Sequence, residues 1–173
     1  PTEAVLVEAH TSAAYDPLDL EERLEGRTVA ILAGPMLVTN LMRRAADRCG
    51  ADVVVIEDSR DRTPLDSDET TCNLYDEAAI EEQFDEAGRV DGIINLLGFG
   101  QESYDGEQVH RVARQTFHAA RAWVEHLGDE PAAGQFFLSV TGMGGRLGFD
   151  QATSPLPVCG AVCGLTKSLA REW

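Results

Sequence analysis

Lysine is nearly missing from this chain: of 173 residues only Lys167 is one, and the remaining thirteen cations are arginines scattered against thirty acidic residues. The formal charge of −16 sets up a negative field that repels phosphodiester backbones and anionic lipid unless a basic patch overrides it locally. The densest basic group, Arg43, Arg44 and Arg48, shares its segment with Asp47 and reads as a solvated helix face. Nucleic acid and membrane surfaces are therefore not the expected partners. Cysteine is scarce as well, at positions 49, 72, 159 and 163 with no CxxC spacing, which argues against a disulfide framework and a zinc site. His110, His118 and His126 are spaced by eight, so each advances about 80° around a helix and the three do not converge on one metal. No run approaches the roughly 18 apolar residues of a spanning helix. Pro1 to Tyr15 lacks the basic and apolar regions of a secretory leader, so a cytoplasmic protein is expected.

What is present is an alternation of strand and helix patterns from Thr28 onward, the order expected of a parallel sheet with helices on both faces. Thr28 to Ala33 (TVAILA) is a continuous apolar strand, broken by Gly34 and Pro35. A helix follows with Leu37, Leu41, Met42 and Ala45 as its expected inner stripe. Ala51 to Ile56 (ADVVVI) is the second strand, and Ser59 to Thr71 reads as a polar loop. Glu77 to Ala87 is a short acidic helix with Ala79, Ile80 and Phe84 inward. Val90 to Leu97 is the third strand, and Gln108 to Leu127 the longest helix, with Val109, Val112, Phe117, Ala120 and Val124 inward. Gln135 to Val140 (QFFLSV) is the fourth strand, and a last helix starts near Leu156. Ala4 to Val7 (AVLV) is a candidate extra edge strand, joined to the rest by an acidic linker from Asp16 to Glu25. The expected division is 1–27, leading strand and linker, and 28–173, a truncated, doubly wound Rossmann-like α/β subdomain. The missing initiator methionine and a helical pattern running to Trp173 read as an excised piece of something longer.

A Rossmann turn binds pyrophosphate where glycines let the backbone approach and a helix N-terminus faces the anion. The turn here, Leu32-Ala33-Gly34-Pro35-Met36-Leu37-Val38, keeps one glycine of three and fills the rest with bulk. Gly34 and Glu57 are thus relics of a cofactor site. Glu57 or Asp58 stands where a ribose-binding acid belongs, and Arg60 or Arg62 where a 2′-phosphate would be met. Asn95 and Gly98-Phe99-Gly100 lie at the tip of the third strand.

The segment GLTKSLARE, Gly164 to Glu172, is similar to the helix after the YxxxK pair of short-chain reductases, and in that register the tyrosine and lysine fall on Pro155 and Cys159. Reduction of a ketone needs a phenol to protonate the forming alkoxide and an ammonium to lower that phenol's pKa. Proline donates nothing, cysteine carries no positive charge, and Lys167 lies about 12 Å further along a helix. Ser139 alone matches a catalytic position, as a relic without partners.

Together with VDGIINLLGFG (Val90 to Gly100) and QFFLSVTGMGG (Gln135 to Gly145), the passage PVCGAVCGLTKSLAREW (Pro157 to Trp173) resembles the structural, non-catalytic subdomain of ketoreductase domains in type I polyketide synthases and in polyunsaturated-fatty-acid and enediyne synthases. The resemblance implies a subdomain that binds no cofactor itself and braces an NADPH-dependent catalytic subdomain following it, the pair acting on β-ketoacyl thioesters. It also implies neighbouring synthase domains and an acyl carrier protein as partners, and an exposed apolar docking face through which the piece self-associates. Two rival readings stay open. One is the N-terminal part of an active NADP-dependent reductase using Ser139, Tyr104 and Lys167. The other is a degenerate Rossmann module that senses a nucleotide or acyl thioester.

Overall fold

The structure, a computed structural model, describes residues 23–60, 70–100, 106–128, 134–142 and 157–172. The candidate strand at Ala4 to Val7 lies outside these residues.

Five short strands carry the sheet: β1 (Thr28–Leu32), β2 (Asp52–Asp58), β3 (Thr70–Cys72), β4 (Gly92–Asn95) and β5 (Phe136–Ser139). They are ordered β3-β2-β1-β4-β5 and every pairing is parallel. Strand order reverses beside β1, so β1 and β4 diverge from a crevice at their C-terminal ends, the position at which open α/β sheets collect ligands. This is a truncated Rossmann-like fold. β3 corrects the expectation of four strands and of a loop through Thr71. It spans three residues, too few to show alternation, yet Thr70 and Thr71 are β-branched and pair with Ile56 and Glu57 on the free edge of β2.

Among the described residues four helices cover the sheet: α1 (Met36–Arg48), α2 (Glu77–Ala87), α3 (Gly106–Leu127) and α4 (Pro157–Glu172). Alternation along the buried strands separates two cores. Ala30, Leu32, Ile56 and Ile93 point to the face covered by α2, α3 and α4, where they meet Ile80, Phe84, Val112, Ala119, Trp123, Val158 and Val162. Val29, Ile31, Val55 and Ile94 point to the other face, where α1 contributes Ala46. On the first face α2 and α3 are stitched by two histidines eight residues apart. His118 Nδ1 lies 2.6 Å from Glu77 Oε1, and His126 Nδ1 lies 3.2 Å from Asp85 Oδ1.

Two expected helix stripes are corrected. α1 buries Thr39 and Ala46 and leaves Leu37 and Leu41 72% and 56% exposed, because the row that meets the sheet is Thr39, Met42 and Ala46. Thr39 is drawn inward by Gly34, whose N–H donates to Thr39 Oγ1 at 3.1 Å. On α3 the inner face is Val112, Gln115, Thr116, Ala119, Ala120, Ala122 and Trp123, and Phe117 comes out exposed. Two polar residues occupy the inner face of that helix because each has a buried partner across it, described below. Among the described residues no helix is long and apolar enough to cross a membrane.

Candidate functional site

The crevice at the C-terminal ends of β1, β2 and β4 opens into a cleft of about 290 Å³. Its lining includes Gly34 and Pro35 from the turn after β1, Glu57 and Asp58 from the end of β2, and Arg111 and Gln115 from α3. That volume is at the lower limit of small-molecule pockets.

The turn after β1 is glycine for a packing reason. A Cβ on Gly34 would collide with the Leu96 carbonyl oxygen and lie 2.9 Å from Leu96 Cβ, so the β1 turn sits directly on the chain leaving β4. Gly100, at φ +70°, faces Pro35 in the same way. The N–H of Gly34 is already given to Thr39. The floor of the cleft is thus a close contact of two turns, and an anion would meet the first turn of α1, where the Val38 and Thr39 N–H groups already bond the Pro35 carbonyl at 2.9 and 3.0 Å and helix geometry leaves the earlier ones without an intrahelical partner.

Asp58 anchors the opposite wall. Its side chain is almost fully buried, accepting from Gln115 Nε2 at 2.5 Å and from the backbone N–H of Arg60 at 3.3 Å. The Arg60 guanidinium returns to the same carboxylate at 3.5 Å while lying 3.7 Å over the Tyr75 ring. Arg60 therefore acts first as the partner of Asp58, and Arg62 lies outside the described residues. Beneath this wall the Cys72 thiol is pushed up to about 11, by burial first and then by the carboxylates of Asp58 and Asp76.

Asn95, fully buried at the end of β4, holds the other side together. Its Nδ2 donates to Thr116 Oγ1 at 3.1 Å and to Ser139 Oγ at 3.4 Å, and its Oδ1 accepts the Leu97 N–H at 3.1 Å. Ser139 and Thr166 hydroxyls lie 2.8 Å apart, and the Thr166 hydroxyl donates to the Val162 carbonyl at 2.9 Å. Thr166 has one proton, so the Ser139 hydroxyl is the donor between them. Ser139 is thereby tied on both sides into a bridge from β4 through β5 to α4.

Cys159 is fully buried on α4, its Sγ 3.8 Å from the Gly98 carbonyl. Gly98 itself is needed there, since a Cβ would come within 3.0 Å of Val162 Cγ2. Lys167 is exposed on the far turns of α4. Pro155 and Tyr104 lie outside the described residues. The fold thus gathers Gly34, Glu57 and Asp58 at one cleft, places Ser139 in a separate polar bridge, and packs Cys159 into the core. The sequence reading missed Gln115 and Arg111 in the cleft and Thr116 in the bridge. The signal was available as Gln115-Thr116, two polar residues in the middle of an otherwise apolar helix stripe.

No protein-family model and no curated sequence matches the chain. Solved structures do. A Burkholderia cenocepacia short-chain dehydrogenase in complex with NADP superposes with a TM-score of 0.60 at 15% identity, over 86% of this chain and 67% of that one. The 3-ketoacyl-(acyl-carrier-protein) reductase of Brucella melitensis, complexed with NADH, gives 0.61 at 22% identity, over 86% and 71%. The Pseudomonas aeruginosa RhlG/NADP complex gives 0.63 at 17% identity, over 88% and 68%. The chain thus has the fold of short-chain dehydrogenases and reductases and spans about two thirds of the length of these matches.

These three complexes overturn one expectation. The absence of a glycine-rich turn led to the expectation that this chain binds no nicotinamide cofactor, yet proteins sharing its fold are crystallised with NADP or NADH. The cleft joins Gly34 and Pro35 of that turn to Glu57 and Asp58 at the end of β2 and to Arg111 and Gln115 from α3, so its lining extends well beyond the pyrophosphate turn.

Proposed function

We propose that this chain is a reductase-type Rossmann module that takes a nicotinamide nucleotide by its adenosine end and braces the catalytic unit of an NADPH-dependent ketoreductase, within a synthase of the polyketide or fatty-acid kind acting on β-ketoacyl thioesters. The observation that carries it is the burial of Cys159. In the register of the reductase helix this position would hold the lysine, and here it is a neutral thiol with no access to solvent, packed against Gly98 and beside Val158 and Val162. An ammonium there would need both a counter-charge and a path to the reacting carbonyl. The commitment of the Ser139 hydroxyl to Thr166 supports the same reading.

The cleft supports the nucleotide half of the proposal. Its space lies between the Gly34 turn and Asp58, and Glu57 and Arg111 border it. Asp58 would accept from a ribose hydroxyl by sharing its carboxylate with Gln115, and the first turn of α1 would face the phosphate. When bound, the nicotinamide supplies hydride; this chain's residues supply orientation of the adenosine.

Titration of NADPH into the purified chain, followed by nicotinamide fluorescence and by turnover of a β-ketoacyl thioester surrogate, tests both halves. Saturable binding that 2′,5′-ADP competes away, with no reduction over hours, is the expected result. Absence of binding would sink the nucleotide half, and reduction by this chain alone would sink the bracing half.

A further inference from the structure

Leu37, Leu41, Arg44 and Arg48 follow one another along α1 at spacings of four, three and four, so they fall within about 60° of arc on the helix and run about 16 Å along it. That arc lies opposite Thr39 and Ala46, the buried residues through which α1 meets the sheet. The leucines expected inside and the basic group expected as a solvated face therefore share one outward surface. With Met36, α1 holds three of the five large apolar side chains exposed among the described residues. Its arginines are unusual too. Arg43, Arg44 and Arg48 make no ion pair among the described residues, whereas Arg60, Arg89 and Arg121 each rest on a carboxylate. In a chain with thirty acidic residues and a formal charge of −16, these three cations are not engaged in holding the fold. Arginines beside exposed leucines in one row differ from a plain solvated face, and such mixed surfaces mark protein contacts.

We propose that this face of α1 docks an acidic amphipathic helix of a different protein, with apolar side chains over Leu37 and Leu41 and carboxylates against Arg44 and Arg48. A straight row at helical spacing is a ridge that another helix can pack beside, and its division into an apolar half and a cationic half fixes the direction of the partner. The charge selects an acidic partner, since the patch is positive while the chain around it is strongly negative. A second copy of this chain fits poorly. A two-fold contact of α1 with itself would gather six arginines in one place, and the chain's own acidic helix, α2, exposes Glu82 and Glu86 but none of the large exposed apolar residues. An anionic membrane also fits poorly, because an extended plane meets the acids around the patch as well, within a screening length of about 10 Å. A partner helix covers the patch alone. The inference stands apart from the nucleotide reading and is tested without nucleotide.

The test uses the full chain and a fluorescein-labelled synthetic helix of about five turns, carrying two leucines and then two glutamates in one row at the spacing of the α1 row. Fluorescence anisotropy is expected to show saturable binding, weakened roughly tenfold by Leu41→Gln and at least as much by Arg44→Gln with Arg48→Gln. Salt at about 0.5 M should weaken it as well. A peptide with serine in place of its leucines should bind roughly tenfold less tightly. Lys167→Gln with Arg171→Gln, which removes two exposed cations of α4, is expected to leave binding unchanged. All these side chains are exposed, so far-UV spectra and urea midpoints of the variants should match the parent. No binding overturns the proposal, and so does binding that the α1 variants leave intact. A serine peptide as tight as the leucine one, or an equal loss on changing α4, means general charge attraction and overturns it. Binding to vesicles of equal parts phosphatidylcholine and phosphatidylglycerol that the α1 variants abolish assigns the face to a membrane, and a dimer that Leu41→Gln dissociates assigns it to a second copy. Either outcome overturns it.

Discussion

On the face that carries α2, α3 and α4, sixteen buried side chains among the described residues form one cluster, and Trp123 closes it with its Nε1–H on the Val90 carbonyl at 2.8 Å and its ring 6.0 Å from Phe137. On the face that carries α1, seven buried side chains among the described residues form the cluster, and four of the five large apolar residues exposed among them, Met36, Leu37, Leu41 and Leu138, belong to α1 or to β5. The same strands feed both faces, so the difference lies in what is laid over them. Among the described residues the buried apolar packing is concentrated on the face under α2, α3 and α4.

The strongest way to break that comparison is Trp123→Ala. The side chain is fully buried and makes a buried hydrogen bond, so truncation should cost about 3–5 kcal/mol. Urea denaturation measures it, and a loss below about 1 kcal/mol would mean the sealed face does not carry the fold. Cys159→Lys is expected to come next, because it places a charge in a fully buried position where the thiol meets the Gly98 carbonyl, a change costing about 3 kcal/mol or more. A variant that stayed as stable as the parent and gained reductase turnover would return Cys159 to the catalytic account.

Cys72 sharpens the comparison by pH. Its pKa in the folded chain is raised from 9.0 to about 11, burial being the main cause. Between these values the unfolded chain loses the thiol proton and the folded chain keeps it, so the contribution is full below about pH 9 and is lost as pH rises through about 11. Urea midpoints measured across this window should fall more steeply in the parent than in Cys72→Ala. Equal slopes would mean that Cys72 is not sealed at the end of β3 as the structure places it.

The sealed face was the legible one. Buried parallel strands read as continuous apolar runs, and Ile80 and Phe84 show a clean helical period, so β1, β2, β4 and α2 were found near their observed bounds. α1 was misread because its sequence is apolar on two rows, Leu37-Leu41-Ala45 and Val38-Met42-Ala46, and periodicity alone does not tell which row meets the sheet. The choice is made by Thr39, whose bond to Gly34 is a tertiary fact. The cleft was half legible for a similar reason. Gly34 and Glu57 follow from strand ends, whereas Gln115 and Arg111 arrive from a helix more than fifty residues later, and only the packing of α3 brings them to Asp58.

Leu37→Gln is the smallest change and the finest division of the open face. Leu37 is 72% exposed on the outer row of α1. A glutamine there keeps helix propensity and removes only solvent-facing apolar surface, so the change in stability should stay within about 0.5 kcal/mol. Leu41→Gln, at 56% exposure one turn along, should cost slightly more than Leu37→Gln. Urea unfolding of the two variants side by side measures the difference, and a large effect at Leu37 would show that the outer row of α1 is covered.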